Sequence, residues 1–457
     1  MKNNTLFSTF DDVSSKQWKQ KIQADLKGAD YNDTLIWKSN EGIDVRPFYH
    51  ADEFDTLPEI SDAEATQWHI CQTIFVADAK KSNEKAIDAL SRGAESIKFI
   101  IANTKINLEE LLKSIDTNTT LLYFELQFLD TEYVTEILNK TSKDKVYILT
   151  DIIGQLARTG NWFKDLKTDH SIFESIVKST YSLSVDVALY QNSGATIVQQ
   201  LAYALAHVNE YFNHLDALLS TEAKKEFNIV FNVSVGTNYF FEIAKLRALR
   251  LLFSTLAEAF NFNTQCHIFA IPTKRNKTLY DYNTNMLRTT TECMSAILGG
   301  ANSVCNLPYD AIYHKDNEFG ERISRNQLLV LKHESYFDKV NNPADGNYYV
   351  ETLTEQISEK ALVLFKDIES NGGFLNQLKE GTIQRKIKES ATKEQEDFNA
   401  NKLILLGTNK HPNPNDKMKH ELELYPFVKH NPVKTLIAPI IENRLAESME
   451  QERINNE

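Results

Sequence analysis

The chain has 457 residues, 42% hydrophobic and 25% charged, with a formal net charge of −13. That composition supports a sizeable buried core and excludes a disordered chain. The acidic balance excludes nucleic acid as a partner, because a phosphate backbone is held through clustered Lys and Arg.

Residues 1–60 are expected to form an N-terminal arm, with one helix near 17–26 and an extended stretch over 37–54. Its first residues carry no apolar segment of signal-peptide length, and the first Arg is Arg46. No apolar run anywhere is long enough to span a bilayer, so the expectation is a cytoplasmic protein with no membrane contact.

Residues 61–340 alternate short β-branched or apolar runs with longer segments of helical periodicity. The runs fall at 73–78, 97–101, 120–128, 146–153, 182–190, 227–235, 265–272 and 302–308. Each is followed by a helical candidate, at 84–92, 108–115, 132–139, 162–178, 197–215, 241–260, 284–298 and 319–336. Eight strand and helix pairs in strict alternation predict an α/β fold, a (β/α)8 TIM barrel with an N-terminal extended arm and a C-terminal helical extension. In the sixth helix Ile243, Leu246, Leu249, Phe253, Leu256 and Phe260 share one face, leaving Arg247, Arg250, Ser254 and Glu258 opposite. Asn107 and Glu110 have capping-box spacing at the second helix.

Side chains alternate along a strand, and several runs here are polar on one face. Tyr123, Glu125 and Gln127 share a face, as do Ser182, Ser184 and Asp186, and Asn228, Asn232 and Ser234. Since the outer face must meet apolar helices, these sets should point inward, where they line a ligand path or form a polar network among themselves.

Residues 341–457 should form the helical extension, with helices at 350–369 and 383–398, a strand-like run at 402–407, and a break at His411-Pro412-Asn413-Pro414. The last thirty residues are charged and helical or loosely ordered.

Chemistry is sparse in these patterns. There is no P-loop, H-E-x-x-H, G-x-G-x-x-G or G-x-S-x-G. Cys71, Cys266, Cys293 and Cys305 are widely spaced and read as reduced, buried thiols, so no metal site is expected. Gly299-Gly300 reads as a helix stop, His267 as a structural histidine, and Glu125 with Asp186 as a carboxylate pair inside the barrel.

Six stretches, in order, carry a resemblance. They are residues 37–49 (W-K-S-N-E-G-I-D-V-R-P-F-Y), 242–250 (E-I-A-K-L-R-A-L-R), 285–300 (N-M-L-R-T-T-T-E-C-M-S-A-I-L-G-G), 322–327, 342–353 (N-P-A-D-G-N-Y-Y-V-E-T-L) and 406–411 (L-G-T-N-K-H). Together they resemble the methylmalonyl-CoA mutase family. The resemblance implies a barrel that threads the pantetheine arm of CoA along its axis, and a radical rearrangement initiated by adenosylcobalamin.

The departures shape what is implied for this chain. The family's histidine donor to the thioester carbonyl, in an H-x-Q-T-S-G stretch, falls on Phe269, and Ile271-Pro272-Thr273-Lys274 replaces Q-T-S-G. His267 would substitute only if the register slipped by two. Cys71 stands where catalytic members place an Arg, no Tyr lies between Ala51 and Trp68, and no Arg lies between Thr159 and Leu246. The D-x-H-x-x-G signature of a cobalamin domain is absent, and the chain stops about where that domain would begin. The expectation is a noncatalytic small subunit that pairs with the catalytic large subunit of the family, with no catalytic, cofactor or metal residues of its own and adenosylcobalamin on the large subunit. Arg46, Pro47, Phe48 and Tyr49 are the expected interface, against local packing of the arm on its own barrel. The alternatives are a catalytic acyl-CoA mutase barrel served by a separate cobalamin-binding protein, and a module that holds CoA esters without chemistry.

Overall fold

A computed structural model describes residues 9–56, 65–429 and 433–457. The expected barrel start at residue 61 and both ends of the expected arm lie outside the described residues. The eight expected strands form over β1 His69–Val76, β2 Ser96–Ile101, β3 Leu121–Leu126, β4 Val146–Ile148, β5 Ser182–Asp186, β6 Asn228–Val235, β7 Cys266–Pro272 and β8 Ser303–Cys305. All neighbours run parallel, in the order β4-β3-β2-β1-β8-β7-β6-β5. The ring is completed between β4 and β5 by Ser184 N donating to Thr150 O at 3.1 Å and by Asp186 N donating to the Asp151 carboxylate at 2.9 Å. The chain is thus a (β/α)8 barrel.

The core lies between strands and helices, as period-2 alternation requires. Ile97, Phe99, Leu122 and Phe124 face outward and meet Ala86, Leu108, Val134 and Ile137 of the surrounding helices. The helices expected at 197–215 and 284–298 form over Ile197–Leu215 and Thr284–Leu298.

Several expectations are corrected. The fourth and fifth runs are shorter as strands, because helix Ile152–Thr159 begins directly after β4 and helix Ala188–Asn192 directly after β5. Gly160, at φ 77°, ends the first of these, and the expected helix at 162–178 starts only at Leu166. Asn107 caps its helix through Glu110 N, but no reciprocal bond from the Glu110 side chain makes a full box. Residues 402–407 form no strand, since a single bridge, Leu406 to Lys410, is their sheet-like contact. Half of the face opposite the sixth helix's apolar stripe is buried. Arg247 lies against helix Tyr348–Ser370 of the extension, and Arg250 against the strand ends and the Gly300 turn. Arg247 then pairs with Glu351 at 2.7 Å, while Arg250 donates to Cys266 O, Gly300 O and Asn302.

The arm lies against its own chain. Helix Ser15–Asp25 opens on a Ser14–Gln17 capping box, and Trp37–Lys38 pairs with Asp44–Val45 in a hairpin. Beyond the helical extension, residues 433–446 cross the C-terminal rim as a strap. Its amides at Leu436, Ile440, Asn443 and Leu445 donate to Gly160, Ala157, Asn192 and Arg275 carbonyls. Among the described residues no helix is long and apolar enough to cross a membrane.

Candidate functional site

The polar faces do point inward, where they close on one another. At the centre Tyr123 is fully buried, with its hydroxyl 2.7 Å from His267 Nε2 and 2.6 Å from Ser303 Oγ. Tyr147 stacks on Tyr123 at 5.3 Å and on His267 at 4.6 Å, and Phe269 meets Tyr123 edge-on at 4.9 Å. Above them Lys98 on β2 pairs with Glu125 on β3 at 2.7 Å and lies 5.0 Å over the Phe269 ring. Burial would raise the Glu125 carboxyl, but Lys98 overrides it and holds the group below the usual carboxylate range. Cys71 and Cys305 face each other on β1 and β8 and join this cluster as buried thiols. The axis is therefore packed with complementary aromatic and polar side chains.

Ligands of such barrels bind at the C-terminal ends of the strands, and here that rim is open. A cavity of 360 Å³ is walled by Glu125, Gln127, Asp151, Arg158, Asp186 and Asn232. Asp151 anchors its floor by accepting from Tyr211 at 2.7 Å and Gly154 N at 2.7 Å, with His207 Nε2 2.9 Å away. A second cavity, of 1140 Å³, lies between the rim and the strap, with Arg158, Lys274, Tyr425, Phe427 and Glu442 on its walls. Arg158 borders both and is held by Asp186 and, at 3.2 Å, by Glu442 of the strap. Burial pushes the Asp186 carboxyl above its usual range, against the pull of Arg158.

These positions sort the residues singled out in sequence. Glu125 and Asp186 border one cavity, and each pairs with its own cation, Lys98 and Arg158. His267 sits near the start of β7, below the rim, and burial pushes its imidazole down to about 3, leaving a neutral ring bonded to Tyr123. Phe269 is in register with Asn232 and Ser303, two residues nearer the rim than His267 on the same face. Arg46 pairs with Glu53 and covers Tyr49 at 4.6 Å, while Tyr49 lies 5.0 Å from Tyr349 and Phe48 meets Trp18 at 6.5 Å. Pro47 borders an open groove beside these rings. The four expected interface residues thus pack against their own chain, with the groove beside them free.

Sequence reasoning missed Lys98, a charge inside an apolar run, and Arg158, one residue outside the stretch found empty of arginine. It also missed the strap. The described residues form the barrel sheet and a two-stranded hairpin, and no histidine lines either rim cavity.

A family model described as Methylmalonyl-CoA mutase matches residues 105–438. A Methylmalonyl-CoA mutase small subunit of Porphyromonas gingivalis is 35% identical over 444 residues, covering 89% of this chain and 71% of that protein. A Methylmalonyl-CoA mutase of Rhizobium meliloti is 27% identical over 466 residues, covering 88% and 64%. The small subunit of Propionibacterium freudenreichii subsp. shermanii is 26% identical over 418 residues, covering 81% and 64%.

Proposed function

Because the chain belongs to the methylmalonyl-CoA mutase family, we propose that it is the small, noncatalytic subunit of a heterodimeric methylmalonyl-CoA mutase. In this reading the partner large subunit carries adenosylcobalamin and interconverts methylmalonyl-CoA and succinyl-CoA. The filled axis supports it most directly. Phe269 occupies the position where the family resemblance places a carbonyl donor, and a phenyl ring has no proton to give. Tyr123, Tyr147 and the Lys98–Glu125 pair fill the space an extended thioester arm would need. The names of the relatives in Porphyromonas and Propionibacterium agree with a small-subunit role. Without a route for the acyl-CoA, this barrel contributes surface, and the partner contributes chemistry.

The test is co-expression with a candidate large subunit, followed by size-exclusion chromatography and a mutase assay with and without this chain. Co-elution, with activity lost when this chain is omitted, is the expected result. Turnover by this chain alone would overturn the reading, as would separate elution with full activity in the large subunit.

A further inference from the structure

A third cavity, at the β5 to β7 side of the rim and sharing Arg275 with the strap cavity, is assigned to nothing above. It has a volume of 330 Å³ and is walled by three distant parts of the chain. The arm hairpin contributes Ser39 and Glu41, the loops after β5 to β7 contribute Gln191, Gly236 and Arg275, and the extension contributes Ser390 and Glu394. That size accommodates a small metabolite.

Its charges are unevenly satisfied. Lys245 and Glu242 form a buried pair at 2.5 Å, and Lys245 also donates to Gln191, Gln200 and Ser234 O. Arg275 is 4% exposed and donates Nε to Glu394 at 2.6 Å and Nη1 to Asn443. Its Nη2 has no hydrogen-bond partner and lies against Gly194 on the cavity wall, so close that a Cβ there would sit 2.8 Å away. A buried guanidinium N–H without an acceptor is costly. Beside it, helix Tyr239–Ala259 begins at Asn238 with no side-chain cap, leaving first-turn amides unsatisfied by the chain. Across the cavity Glu41 accepts from Val198 N at 3.0 Å and has no cation within ion-pair distance among the described residues. Burial pushes its carboxyl up to about 7, outweighing the Ile197 and Val198 amides and the more distant Lys245.

We propose that this cavity binds a small zwitterion of amino-acid size, its carboxylate held by Arg275 Nη2 and the start of helix Tyr239–Ala259, and its ammonium group held by Glu41. A donor without an acceptor and a carboxylate without an ion-pair partner line the same cavity, and a molecule with both groups satisfies each. Because Glu41 belongs to the arm, occupancy fastens the arm hairpin to the barrel.

The test is isothermal titration calorimetry of the full chain with L-alanine, succinate and ethylammonium at matched ionic strength. Saturable heat with L-alanine alone is expected. Glu41→Gln should weaken that binding at least tenfold with an unchanged circular dichroism spectrum, and Ala195→Leu, which fills the cavity, should abolish it. If Ala195→Leu fails to fold, the Glu41→Gln titration decides. Absence of saturable L-alanine binding, equal affinity for succinate or ethylammonium, or full affinity in Glu41→Gln overturns the proposal.

Discussion

The axis and the rim of this barrel use the same residue types to opposite ends. In the axis Lys98 is 7% exposed, lies over the Phe269 ring and reaches Glu125 on the neighbouring strand, so its charge is spent on holding strands together. At the rim Arg158 is 40% exposed and meets two carboxylates from different parts of the chain, Asp186 on β5 and Glu442 on the strap, beside open cavities of 360 and 1140 Å³. The difference lies in what surrounds the pair. A charge walled in by packed aromatics belongs to the architecture, and one bordered by space remains available.

That comparison breaks most readily at Phe269, the ring at the centre of the axis with no exposed surface. If the axis is close-packed, Phe269→Ala should cost about 3–5 kcal/mol, the usual penalty for emptying a fully buried aromatic site. Urea unfolding of the two chains would measure it. A loss below about 1 kcal/mol would mean the site collapses easily, or that the axis is loosely filled.

A titration sharpens the contrast further. His267 in the axis is held near 3, mainly by burial and secondarily by Arg250, against about 6.5 for an unfolded chain. Between these values the unfolded state binds the proton and the folded state does not, so stability should fall as pH drops below about 6.5. His267→Gln should flatten that acid slope. Glu41, in the cavity under the arm, is shifted the other way, to about 7. Its contribution is present in full below the ordinary carboxylate range and lost as pH rises through 7, so Glu41→Gln should flatten the neutral side instead. Urea midpoints measured at pH 4, 5.5, 7 and 8 would separate the two, and parallel profiles for all three chains would count against both.

Much of the axis was legible in sequence and little of the rim. The inward polar sets on β3, β5 and β6 followed from alternation, because a strand's own residues decide which face is polar. Which partner satisfies them did not follow. Tyr123 meets residues 144 and 180 positions away, and the choice between ligand path and closed network depends on that meeting. The burial of Arg247 was hidden for a related reason. Its helix shows an apolar stripe, but the helix that supplies its partner Glu351, Tyr348–Ser370, begins about a hundred residues later. Arg158 is the extreme case, since its partner Glu442 is 284 positions away in a strap with no periodicity to announce it.

The strap also yields the smallest and most discriminating effect. Glu442 reaches Arg158 at 3.2 Å and accepts from Asn192 Nδ2 at 2.9 Å, while the next amide, Asn443 N, donates to Asn192 O. Glu442→Ala leaves Arg158 paired with Asp186, and both members of the lost pair are more than a third exposed. The global cost should therefore stay under about 1 kcal/mol, as for other solvent-screened pairs. Locally the strap loses two of its ties, so amide exchange at Ile440 and Asn443 should accelerate while amides of β6 and β7 keep their protection. Hydrogen exchange followed by mass spectrometry reads both regions in one experiment. A uniform rise across the barrel, or a global loss as large as that of Phe269→Ala, would place the rim in the same cooperative unit as the axis and remove the distinction between them.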